Sequence, residues 1–224
     1  MADYYWYNDN SSSNRRKFLG NTPTVTRNLI IINIIFFVAT LLNESLMFKW
    51  FALYTIGTPE FHSWQIITHM FMHGGFWHIL FNMYTLWMFG SVLERMIGEK
   101  KYLIFYFVCG LGSVALHAAV EHFLTPGATS VCVGASGAIY GVIIGYAMLF
   151  PESKLTLLFP PVTLSAKWMV IIFAGIELFT GLGNLTGSVG LFGGIAHFAH
   201  LGGMLFGWLL IRYWRQKGNL FDRN

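Results

Sequence analysis

Between Leu29 and Ile211 the charged residues are gathered between apolar blocks, and this spacing limits what the chain can fold into. A helix needs roughly 20 mainly apolar residues to cross a bilayer. Six stretches approach that length: Leu29 to about Leu46, Phe76 to about Leu93, Tyr102 to Phe123, Ala135 to Phe150, Trp168 to about Leu182, and about Ile195 to Ile211. The second, fourth and sixth contain no Asp, Glu, Lys or Arg. Over the whole chain 11% of residues are charged and 55% hydrophobic, against about 25% charged in ordinary soluble domains. The expected fold is an all-α polytopic membrane protein, a bundle of six transmembrane helices over residues 27–212. A polar, disordered tail (1–26) precedes it and a basic tail (213–224) follows. No signal peptide is apparent, because the first 17 residues lack an apolar core.

Lys and Arg in the short loops set the orientation. Arg15, Arg16, Lys17 and Arg27 precede the first span, and Arg95, Lys100 and Lys101 lie between the second and third. Lys154 and Lys167 lie between the fourth and fifth; Arg212, Arg215, Lys217 and Arg223 follow the sixth. With six spans all of these fall on one side, and only Lys49 falls on the other. Both termini are therefore expected in the cytoplasm. The segment from Met47 to Gly75, with Pro59, Trp50, Trp64, His62, His69 and His73, is too interrupted to span. A net charge of +4 spread between apolar blocks makes nucleic acid a poor partner and the lipid bilayer the natural one. Cys109 and Cys132 fit no metal or redox spacing.

Depth can be counted from each cytoplasmic end at 1.5 Å per helical residue. Ser136 lies about 22 Å above Pro151, and His200 about 18 Å above Arg212. Asn82 lies about 18 Å and His78 about 24 Å above Glu94. Three helices thus bring a serine, two histidines and an asparagine to one level inside a hydrocarbon core roughly 30 Å thick. Polar groups at that depth are costly and mark function. Spacing supports convergence: His78 and Asn82 are four apart, as are Ser136 and Tyr140. Gly137, Gly141 and Gly145 form one stripe of small residues and Gly203 and Gly207 another, the kind that lets membrane helices approach closely. His200 lies on the face carrying the second stripe. If the stripes pack together, Ser136 and His200 meet.

A serine hydroxyl becomes a nucleophile when a base takes its proton, and neutral histidine suits that role. His200 is the candidate base. The Ser136 backbone N–H at the helix start, His78 and Asn82 are candidate donors to the oxyanion. The Tyr140 ring is expected to pack on the imidazole, with Gly134 and Gly137 supporting Ser136. No carboxylate obviously orients His200, so a dyad is expected; Glu177, mid-way along the fifth span, reads as structural. His197, three residues before His200, reads as support. His69 and His73 are four apart, but no Glu follows His69, so H-E-x-x-H is absent. Neither a metal nor another cofactor is expected.

The chain resembles the rhomboid intramembrane serine proteases over nearly all of residues 27–212. The resemblance is carried by His78-Ile79-Leu80-Phe81-Asn82, by Gly134-Ala135-Ser136-Gly137 with Tyr140, and by Ala199-His200-Leu201-Gly202-Gly203. It implies a Ser136–His200 dyad, an oxyanion hole of His78, Asn82 and the Ser136 amide, and His200 rather than His197 as the base. It further implies that 47–75 is a large first loop lying partly in the outer leaflet. The Gly-rich 183–194 loop and the fifth span would form a mobile cap and lateral gate. Trp64-Gln65 stands where the family often has Trp-Arg, which leaves that loop's contacts open. The implied activity is endoproteolysis of membrane proteins at transmembrane or juxtamembrane segments that unwind easily. The plain six-span form resembles the bacterial type, which implies the bacterial inner (plasma) membrane. A catalytically silent client-binding relative is one alternative. A channel or transporter is another, but neither inverted repeats nor broken helices along a through-path are apparent. The sequence assigns no natural substrate and no oligomeric state.

Overall fold

In the first helix, α1 (Thr24–Leu42), Asn33 is buried while Ile34, Ile35, Leu41 and Leu42 stand exposed. Polar groups turned inward and aliphatic ones outward are the pattern of a helix whose outer face meets lipid. The computed structural model that carries this helix describes residues 22–157, 161–185 and 196–221. Most of the N-terminal tail, the last three residues and most of the Gly-rich 183–194 loop, with its expected gate, lie outside the described residues.

The expected first span ended near Leu46; the helix stops at Leu42 instead. Asn43 leaves the helical conformation (φ −153°), and its side chain accepts from the Leu46 N–H, starting α2 (Glu44–Phe51). A short strand, β1 (Leu53–Tyr54), and the small helix α3 (Gln65–Thr68) follow, then a single 3-10 turn at His69–Phe71. Next comes α4 (Phe76–Thr85), which passes through a π turn (Leu86–Gly90) into α5 (Ser91–Ile97) without leaving helical geometry. Gly98, at φ +85°, ends it. The remaining elements are α6 (Glu99–Leu124), β2 (Val131–Cys132), α7 (Ser136–Leu149), the hairpin β3 (Lys154–Thr156) and β4 (Thr163–Ser165), α8 (Ala166–Leu185) and α9 (Ala196–Gln216).

By length and composition α1, α6 and α8 can each cross a membrane, and α7 is a shorter apolar helix of 14 residues. The chain is an integral, mainly helical membrane protein. The expected second span is the run interrupted by the π turn, and the expected fourth begins at Ser136 rather than Ala135.

Helices α6, α7 and α9 pack on one another most extensively, and α8 lies mainly against α9. The two glycine stripes face each other there. A Cβ on Gly203 would strike the Gly137 carbonyl, and one on Gly207 would meet the Gly141 carbonyl at 3.0 Å. On the basic side, Lys101 donates to the Asn219 carbonyl and Arg215 to that of Met148 (2.5 Å). The start of α6 and the ends of α7 and α9 are thereby held together. Buried Glu94 on α5 accepts from the Val25 and Thr26 N–H groups (2.8 and 2.7 Å) and from the Thr26 hydroxyl. It satisfies amide donors that the first turn of α1 leaves without helical partners.

The first loop is stitched by Gln65, which is fully buried. Its Oε1 accepts from the His62 N–H (3.1 Å) and its Nε2 donates to the Glu60 carbonyl (3.1 Å). Trp64 donates to the Trp50 carbonyl (2.8 Å) and stacks on His62. The Trp64-Gln65 pair thus uses a neutral amide, buried with both ends bonded.

The close approach at Gly203 has a measurable consequence. Gly203→Ala is expected to force α7 and α9 apart and to lower stability by about 1–3 kcal/mol, as overpacking does. Gly175→Ala, where nothing lies within 4 Å of the added carbon, is expected to stay within about 0.5 kcal/mol of the parent. Thermal unfolding of the detergent-solubilised protein measures both.

Candidate active site

Ser136 opens α7, and the chain before it is fixed from two sides. β2 pairs with β1 through Leu53 opposite Cys132 and Tyr54 opposite Val131. The Gly134 N–H donates to the His69 carbonyl at 2.9 Å. Gly134 sits at φ +128°, and a Cβ there would lie 2.8 Å from His78 Nε2. Glycine alone lets the chain turn into the helix while the His78 ring closes over the turn.

His200 on α9 brings Nε2 to 2.8 Å from Ser136 Oγ. The Tyr140 ring, one turn along α7, lies face to face with the imidazole, with centroids 4.3 Å apart and planes 9° apart. The close passage of Gly137 beneath Gly203 allows this pairing, because the two backbones meet next to Ser136 and one turn from His200. His78 and Gly134 line the same cavity of about 170 Å³ as Ser136, Gly137 and His200. At the first position of a helix the Ser136 N–H has no intrahelical acceptor.

Asn82 is placed differently. It is buried one turn along α4 from His78, and its Nδ2 donates to His73 Nε2 at 3.0 Å. Burial pushes the His73 imidazole down to about 3, so it is neutral and can accept. His73 in turn meets the His78 ring edge-on at 4.9 Å. Asn82 therefore joins the site through the His73–His78 pair. His69 is also neutral, pushed down to about 4 chiefly by burial, and its Nδ1 donates to the Gln65 carbonyl. The two histidines four apart in the sequence thus have separate partners. His69 and Ser113 both line the cavity beside Ser136; His69 stood out in the sequence only as one of a pair four apart, and no motif marked Ser113.

The sequence leads to a dyad with Glu177 as a structural residue; the structure sets the Glu177 side chain beside His200. Glu177 is buried, 6% exposed, and its carboxylate stands among three polar groups. Tyr140 Oη donates to Oε1 at 2.5 Å, His197 Nδ1 lies 2.6 Å from Oε2, and His200 Nδ1 lies 3.0 Å from Oε1. The last is at ion-pair distance without the alignment of a full hydrogen bond. The depth count held the signal. Glu177 lies eleven residues into α8, about 17 Å from its basic-side start and nearly level with His200. What depth could not give was the face of α8 that turns inward. Glu177, His197 and His200 also offer ligand atoms within 4.8 Å of one another, a spacing that a metal could use. The direct contacts of 2.6 and 3.0 Å are those of a carboxylate bridging two imidazoles.

A family model, the Rhomboid domain, matches residues 60–217. The chain belongs to the rhomboid family. Curated rhomboid relatives include Rhomboid protein 1, mitochondrial, of Saccharomyces cerevisiae, 30% identical over 65% of this chain and 41% of its own length. The putative rhomboid protease YdcA of Bacillus subtilis is 34% identical over 43% of this chain and 46% of its own. The rhomboid protease GlpG of Klebsiella pneumoniae is 28% identical over 80% of this chain and 58% of its own. The rhomboid chain described here thus spans about half the length of the curated relatives it matches. Its family includes serine proteases, and its relatives come from both bacteria and mitochondria.

Tyr140 makes two separable contacts. Tyr140→Phe keeps the stack on His200 and removes one hydrogen bond to a carboxylate, an expected loss of about 1.5–3 kcal/mol. Tyr140→Ala removes both contacts and is expected to cost more, by thermal unfolding in detergent.

Proposed function

We propose that this rhomboid is an intramembrane serine endopeptidase with Ser136 as nucleophile and His200 as base. The observation that carries this reading is the 2.8 Å contact between Ser136 Oγ and His200 Nε2 inside the helix bundle. A half-buried hydroxyl paired with an imidazole, beside a cavity, is the arrangement nucleophilic catalysis needs.

His200 takes the Ser136 proton as Oγ attacks the scissile carbonyl carbon. The carbonyl oxygen becomes an oxyanion, stabilised by the Ser136 N–H and His78, with Asn82 acting from behind through His73. The imidazolium then protonates the leaving amine as the C–N bond breaks. Water, deprotonated by His200, attacks the acyl-enzyme ester; as the C–Oγ bond breaks and the acid leaves, the imidazolium returns that proton to Ser136 Oγ. His197, whose Nδ1 contacts Glu177, supports the site from one turn away.

The substrates are transmembrane or juxtamembrane segments of other membrane proteins. Carbonyls within a helix are occupied by its own N–H groups, and the helix surrounds them with side chains. A segment that unwinds easily presents its carbonyl to Ser136. The small cavity, about 170 Å³, favours small residues at the cut.

Six spans accommodate this chemistry: α1, the α4–α5 run, α6, α7, α8 and α9. The grouping of Lys101, Arg215 and their partners at one end, with the basic loops, supports both termini on the side that is the cytoplasm in a bacterium. In a bacterial cell this is the inner membrane, and the Bacillus and Klebsiella relatives favour that setting.

The test is cleavage of a model transmembrane substrate by purified protein. Ser136→Ala and His200→Ala should each lower the rate by at least about 10³-fold while the protein stays folded. His197→Ala should retain substantial activity. A fluorophosphonate should label the parent protein but not Ser136→Ala. Retained cleavage in either of the first two variants overturns the pairing, and a His197→Ala that alone is inactive moves the base to His197.

A further inference from the structure

We propose that Glu177 is the positioning acid for His200, so that the site operates as a triad whose carboxylate comes from α8. This rests on the reading of Ser136 and His200 as nucleophile and base.

A carboxylate inside a membrane bundle is costly unless donors surround it. Glu177 has two, the Tyr140 hydroxyl of α7 and the His197 imidazole of α9, and the His200 imidazole of α9 stands at ion-pair distance. Each bears on one atom pair of the reaction. With His200 Nδ1 facing the carboxylate, the proton resides on Nδ1, and the Nε2 lone pair is left for the Ser136 hydroxyl. When Nε2 takes that proton, the imidazolium lies 3.0 Å from a negative charge. The attraction is strongest after the proton has moved, so it favours the transition state over the resting state. Tyr140 holds the carboxylate from one side and the imidazole plane from the other, through the hydroxyl and the stacked ring. His197 fixes the second carboxylate oxygen, which stops the group rotating away.

The competing role is mechanical. Ile171, Ile172, Ile176, Leu178, Phe179 and Leu182 of α8 are all exposed, so Glu177 could matter only by docking that helix. The two roles differ in what they move. A docking residue alters stability and substrate affinity. A positioning acid alters turnover.

The experiment compares full-length parent, Glu177→Gln, Glu177→Asp and Gly181→Val on one transmembrane substrate in proteoliposomes. Gly181→Val loosens α8 directly, because a Cβ there already meets the Phe198 ring at 3.0 Å. Glu177→Gln is expected to lower kcat by about 10²–10⁴-fold, the scale on which an orienting carboxylate acts in a serine hydrolase, with KM within about threefold. Glu177→Asp keeps the charge but draws it back, and is expected to fall between Gln and parent. Gly181→Val is expected to lower the thermal midpoint with kcat within about threefold of the parent. If Glu177→Gln does not fold, the Asp variant carries the test, and an unchanged kcat there overturns the proposal. Parent-like kcat in Glu177→Gln overturns it too, as does an equal kcat loss in Gly181→Val. Loss of parent activity in a chelator, restored by Zn²⁺, would make Glu177, His197 and His200 metal ligands and overturn it as well. Ser136→Ala separates the two readings: if it cleaves like the parent, or the parent does not cleave, both fall. If it is inactive while Glu177→Gln is not, only the triad falls.

Discussion

The backbone of α9 passes so close to α7 at Gly203 and Gly137 that no side-chain carbon fits between them. The contact between Ser136 and His200 depends on that approach. A hydroxyl on one helix and an imidazole on another come within 2.8 Å only if their axes are near, and in lipid no hydrophobic drive brings helices together. Packing of small residues supplies the association instead. Gly141 and Gly207 repeat the approach one turn further along, so the two helices run together rather than merely cross.

A second constraint is that buried polar groups need partners. They find them in layers here. Glu94 satisfies the first turn of α1 on the basic side. Glu177 gathers Tyr140, His197 and His200 in mid-bundle. Toward the other side, Thr55 donates to Glu121, and Ser130 bonds both Thr55 and His117. Three carboxylates at three depths thus each tie together elements distant in sequence. The first loop belongs to this scheme. Gln65 binds the loop to itself, and the His69 carbonyl holds Gly134 two residues before Ser136.

Much of the site was legible because depth along a straight helix is arithmetic. Counting residues put Ser136, His200, His78 and Asn82 near one level, and the glycine stripes named the faces that could meet. The same count applied to α8 puts Glu177 at that level as well. In the sequence it reads as structural, because a lone Glu in an apolar helix has no periodic companion to mark its inward face. Asn82 shows the opposite limit. Its spacing from His78 was clear, but its amide bonds to His73, a residue from a loop whose path no periodicity describes. Gln65 was likewise unreadable, since its partners are loop backbone carbonyls and amides.

The sequence by itself determined the membrane character of the chain, the placement of its basic residues, most helix limits and the similar distances of Ser136, His200, His78 and Asn82 from the basic helix ends. These follow from hydropathy, charge placement and a fixed rise per residue, all of which are local. Membership of the rhomboid family was also carried by short local motifs. Only the tertiary structure decided which carboxylate stands behind His200, that Asn82 is hydrogen-bonded to His73, and that His69 and Ser113 line the cavity beside Ser136. Those facts depend on helix rotation and loop path. Both are fixed by packing between segments far apart in the chain, and no single segment encodes them.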